Sequence, residues 1–117
     1  MAVSGNGNYV YALEDRKVRV SSDAGATWRD ANTNLDVTLS LADIAASNTG
    51  RYVVVTQNGG IIQMSNDYGG TWSSFAGIPT ADPNFNYNGG YRVAMSSSGQ
   101  YVASLLIGQG VLWSSNY

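Results

Sequence analysis

The chain has 117 residues, 44% of them hydrophobic and 12% charged, with a net charge of −2, no cysteine and no histidine. That length supports one modest core; the missing cysteine excludes disulfides, thiolate catalysis and structural zinc, and the missing histidine removes the commonest general base and metal ligand. Five arginines and one lysine make no basic stripe and no apolar run approaches the ~18 residues of a membrane span, so neither nucleic acid nor membrane is expected as a partner, and no cofactor is expected.

In chain order, β-branched and aromatic stretches alternate with Gly, Asn and Asp turn signals, and no amphipathic helix is legible. The first unit reads as strands over 2–4, 9–13 and 18–21, with a fourth opening at Trp28. A second unit reads as 43–47, 52–56 and 61–65, with a fourth opening at Trp72. The third reads as 92–96, 101–106 and 111–114 with no fourth strand, which makes eleven in all. The apolar run Val53-Val54-Val55 points to a strand covered on both faces, as in stacked sheets.

These units are copies of one another. The octapeptide Ser21-Ser22-Asp23-Ala24-Gly25-Ala26-Thr27-Trp28 returns as Ser65-Asn66-Asp67-Tyr68-Gly69-Gly70-Thr71-Trp72 and begins again as Ser114-Ser115-Asn116-Tyr117. In the same alignment Gly7, Gly50 and Gly99 coincide, as do Tyr9, Tyr52 and Tyr101. Asp23 and Asp67 are 44 residues apart, and Asp67 and Asn116 are 49 apart, the length of a four-stranded propeller blade. The expected fold is therefore all-β: one repeat domain of antiparallel blades over residues 1–41, 42–89 and 90–117, the last incomplete.

Chemically the octapeptide is a turn: an Asp side chain accepts bonds from amides further on, Gly permits the reversal, and Thr and Trp restart the strand with an apolar plug. Its pattern resembles the Asp-box (BNR) repeat of the sialidase and sortilin-like β-propellers, over essentially the whole chain. The resemblance implies that Ser21, Asp23, Gly25, Thr27, Trp28, Ser65, Asp67, Gly69, Thr71, Trp72 and Asn116 are folding determinants that join third to fourth strands, away from any binding face. It also implies what a sialidase site would need: three substrate-gripping arginines, one in Arg-Ile-Pro, and a Tyr/Glu pair. Here Gly77-Ile78-Pro79 lacks the arginine and Glu14 is the only glutamate, so the expectation is a protein that is not an enzyme.

The least repetitive stretch, residues 76–90, carries both prolines and several aromatics and asparagines. Departures from a repeat are where binding is often placed. Asn84, Asn86, Tyr87 and Tyr91, with Arg16 and Asn58 from turns on the same side, are the candidate ligand residues, and amides beside aromatic rings suit a glycan. Residues 30–36 imitate a calcium loop, but Leu35 stands where the sharp turn needs Gly, so no metal site is expected.

Closed propellers have four to eight blades. Two and three-quarter blades would expose two apolar faces, so the chain is expected either to partner with itself, two copies supplying six blades, or to be part of a longer protein. The leading functional reading is a non-catalytic propeller module for binding or assembly, with glycans as the ligand class. The alternative is a truncated or engineered fragment that self-assembles into a closed ring, and the third is a remnant of a sialidase-like glycoside hydrolase.

Overall fold

A computed structural model describes residues 1–14, 16–31, 40–57, 62–74, 92–106 and 110–114. Among them are eleven strands and no helix: β1 (Ala2–Val3), β2 (Val10–Glu14), β3 (Lys17–Ser21), β4 (Arg29–Asp30), β5 (Leu41–Ala46), β6 (Val53–Gln57), β7 (Ile62–Ser65), β8 (Ser73–Ser74), β9 (Arg92–Met95), β10 (Val102–Leu106) and β11 (Gly110–Ser114). They form three antiparallel meanders, ordered β1-β2-β3-β4, β5-β6-β7-β8 and β9-β10-β11, which are blades 1, 2 and 3. The fourth strands open one residue later than the sequence suggests, at Arg29 and Ser73, because Trp28 and Trp72 still belong to the preceding turns.

The blades stack face to face, and β6 shows why its sequence is apolar throughout. Alternate residues of a strand point to opposite faces. Val53 and Val55 join Tyr11, Val18, Val20, Ile44 and Trp72 in a core between blades 1 and 2, while Val54 joins Ile62 and Val102 in a second core between blades 2 and 3. All three valines are fully buried, worth about 1.5–3 kcal/mol each in transfer free energy.

Polar bonds fix the stacking register. The Tyr11 hydroxyl, buried so that its pKa is pushed well above the ordinary phenol range, donates to the Gly50 carbonyl across the first junction. At the second junction the Asp43 carboxylate accepts from its neighbour Ile44 N at 3.0 Å and from Val93 N of blade 3 at 3.0 Å. The Asn48 amide also donates to the Ser97 carbonyl at 2.8 Å.

One turn recurs three times between the first and second strands of each blade. Ser4 N, Ser47 N and Ser96 N donate to the carbonyls of Tyr9, Tyr52 and Tyr101, each at 2.9 Å. The same serine hydroxyls accept from the Tyr9, Tyr52 and Tyr101 amides at 3.0, 3.1 and 3.1 Å. The turn closes on Gly7, Gly50 and Gly99, with φ of 74°, 81° and 80°, the left-handed region that favours glycine.

Across each junction the tyrosine of one blade lies on the glycine of the next. A Cβ at Gly50 would stand 2.8 Å from the Tyr9 Cβ, and one at Gly99 would stand 2.5 Å from the Tyr52 Cδ2. Neither site has room for a side chain.

Candidate functional site

The octapeptide turns are built twice to the same plan. Ser21 Oγ donates to Asp23 Oδ1 at 2.8 Å and accepts from Gly25 N at 2.8 Å. Asp23 Oδ1 accepts from Thr27 N at 2.8 Å, and Oδ2 accepts from Thr27 Oγ1 at 2.6 Å. In blade 2, Ser65, Asp67, Gly69 and Thr71 repeat these four bonds at 2.8, 2.8, 2.8 and 2.6 Å. Residues Ala24 and Tyr68 take positive φ (59° and 60°), followed by Gly25 and Gly69 at 92° and 81°, so the reversal spends two successive left-handed residues.

The turn serines are buried, but both aspartates and both threonines face water. A charged acceptor with several donors holds its proton weakly. The Thr27 hydroxyl, then the Thr27 amide and the Ser21 hydroxyl, pull the Asp23 pKa down to about 2; the Thr71 hydroxyl and amide do the same for Asp67, also to about 2. A depressed folded pKa contributes stability above the unfolded value near 4 and loses it as pH falls toward 2. Thermal melts should therefore show Tm dropping through that window. The paired substitution Asp23→Asn with Asp67→Asn should flatten the drop, and an unchanged acid slope in that variant would count against the bonding scheme.

The tryptophans differ. Trp28 and Trp72 both donate from Nε1 to the turn glycine carbonyl, at 3.1 Å to Gly25 and 3.2 Å to Gly69. Trp72 is 6% exposed because it seats in the core between blades 1 and 2, whereas Trp28 is 40% exposed. The expected plug is thus corrected for Trp28: its position in the repeat points away from blade 2, where no other part of the described chain covers it. Met1, the counterpart of buried Ile44, is also exposed, and Val10 and Ala12, counterparts of buried Val53 and Val55, are only half-buried.

At the other end of the sheets lies the side on which ligand residues are expected. Arg16, with φ of 68°, forms the β2–β3 turn. With Leu13, Glu14, Ser40 and Leu41 it lines an open cleft of about 300 Å³ where blade 1 meets the start of blade 2. Glu14 itself is engaged with Arg19 at 3.4 Å, beside an Arg19 to Asp30 pair at 3.0 Å. Asn58, Asn84, Asn86, Tyr87, Tyr91 and Asn116 lie outside the described residues, as do residues 32–39. Among the described residues no group of three or more acidic side chains could hold a metal ion, and no helix is long and apolar enough to cross a membrane.

Sequence reasoning aligned the Gly and Tyr columns but did not couple them to each other, and it missed Asp43 as an interblade acceptor. The signal for the first was present: Gly and Tyr recur two residues apart in all three units.

Stacked antiparallel meanders of this kind are the blades of a β-propeller, and solved structures similar to it in shape are β-propeller proteins. One is YCF48 bound to D1 peptide, at TM-score 0.73 and 14% identity, covering 98% of this chain and 36% of that one. Another is the GH74 enzyme of Niastella koreensis, at TM-score 0.69 and 26% identity, covering 98% of this chain and 16% of that one. The chain therefore spans little more than a third of the first and about a sixth of the second. No protein-family model matches it, and no curated protein matches it significantly.

Proposed function

We propose that the chain is a non-catalytic propeller module whose role is assembly, with its blades built on Asp-box turns and its outer faces made to seat further blades. The observation that carries this reading is the contrast between Trp28 and Trp72, the same residue of the same turn, one 40% exposed and the other 6%. Leu105 and Tyr101 on blade 3 add to it, at 45% and 49% exposed, since exposed apolar patches of this kind mark interaction surfaces. Acrylamide quenching tests it. The emission assigned to Trp28, taken as the difference between wild type and Trp28→Phe, should become less accessible as protein concentration rises; accessibility independent of concentration would contradict the reading.

The cleft at Arg16 favours a second role, glycan binding at the loop end, where Asn58, Asn84, Asn86, Tyr87 and Tyr91 would supply amides and ring faces. A glycan array should then give a signal that Arg16→Ala lowers, and a blank array would remove this role.

A further inference from the structure

The tyrosine-on-glycine contact is repeated at both junctions inside the chain, and each outer face of the described blades carries one half of it. Tyr9 lies on Gly50 and Tyr52 lies on Gly99, whereas among the described residues no glycine lies against Tyr101 and no tyrosine against Gly7. Exposure agrees with this at both ends. Gly50 and Gly99 are buried, yet a Cβ at Gly7 would meet nothing within 4 Å. Tyr9 and Tyr52 are half-buried, yet Tyr101 is 49% exposed.

The two halves are already shaped for each other. The turn carrying Tyr101 has the serine-to-tyrosine bonds of the two tyrosines that are seated, at 2.9 and 3.1 Å, and Gly7 has the left-handed φ of the two glycines that are covered. Beside Tyr101 an apolar groove of about 290 Å³ opens along Ala94, Met95, Val102 and Ala103. Blade 1 offers it Met1, Val10, Ala12 and Trp28, the repeat counterparts of the residues by which blade 2 packs on blade 1.

From this geometry we infer that the partner is a second copy of the chain, docked head to tail with Tyr101 of each copy on Gly7 of the other. The inference rests on the assembly reading above and extends an interface the chain already makes twice. A head-to-tail contact yields a closed ring only if its rotation closes, and otherwise an open filament. Two copies supply six blades, within the four to eight of known propellers, and three would supply nine. The assembly is therefore a two-copy ring in which both junctions are Tyr101 on Gly7.

The absence of cysteine makes the test clean. In the two internal junctions the tyrosine and glycine positions bring Cβ atoms to 2.8 and 2.7 Å, from which the ~3.8 Å of a disulfide is reachable with a small shift. The chain carrying both Gly7→Cys and Tyr101→Cys should, on mild oxidation, run on a non-reducing gel as a covalent dimer that reductant returns to single chains. A ladder of trimers and longer species would overturn the two-copy ring. Because cysteine at the left-handed Gly7 position could unfold the chain, Tyr101→Arg with Gly7 untouched provides a second measurement. It should keep the circular dichroism spectrum of the folded chain and lose the dimer in sedimentation velocity. A dimer that survives Tyr101→Arg would mean that copies meet elsewhere, overturning this pairing while leaving assembly in place. A wild-type chain that stays single at every concentration would overturn both.

Discussion

Replacing Trp72 by alanine is expected to remove about 3–5 kcal/mol of folding stability and to lower Tm on the order of 15 °C, as followed by circular dichroism. The indole fills the core between blades 1 and 2 beside Tyr11, Val18, Val20, Ile44, Val53 and Val55. Domains of this size have about 5–15 kcal/mol in total, so the variant should sit near the edge of folding. Trp28→Ala makes the same chemical change in the same turn and should cost a small fraction of that in the single chain, since its indole is already 40% exposed. Its effect should fall on association instead. Equal losses of stability for the two variants would show that the junction does not distinguish them.

Gly50→Ala is expected to cost about 2–5 kcal/mol, from two independent sources. A Cβ at φ 81° meets the left-handed penalty of about 1–2 kcal/mol. The same Cβ would stand 2.8 Å from the Tyr9 Cβ and 2.9 Å from its Cγ and Cδ2, so the ring must be displaced, at the about 1–3 kcal/mol typical of overpacking. Tyr9 has little freedom to yield, because its ring stacks on Tyr68 at 4.6 Å and its amide is held by Ser4. Gly7→Ala, at φ 74° and in open space, should carry only the backbone penalty in the single chain and a further loss in the dimer. Urea titration of both variants, at concentrations spanning association, separates the two contributions. A Gly50→Ala loss no larger than that of Gly7→Ala would sink the packing argument.

Much of the scaffold is legible in the residues themselves. Strands such as β6 and β10 are rich in valine and leucine and lie between Gly or Asn turn signals, so local propensity and turn chemistry agree, and the elements fall within a residue or two of their expected places. The octapeptide is legible too, because Ser, Asp, Gly and Thr can satisfy one another within eight residues and need no distant partner. Properties that depend on a neighbouring blade are not local. Trp28 and Trp72 look alike in sequence, and only the stacking order separates the covered indole from the open one. Asp43 reads as an ordinary strand residue until blade 3 delivers the Val93 amide to it. The Gly and Tyr columns announce a repeat, but their coupling runs from each blade to the next and requires the stack to be seen. For the candidate ligand side, Arg16 is located beside its cleft, and the other expected residues belong to segments outside the described ones.

The mass of the wild-type chain in native solution decides whether copies associate. Native mass spectrometry should find a dominant species at twice the 12.4 kDa of one chain, with nothing larger. A population that remains at 12.4 kDa as concentration rises would contradict the pairing of the open faces of blades 1 and 3 as the two halves of one junction.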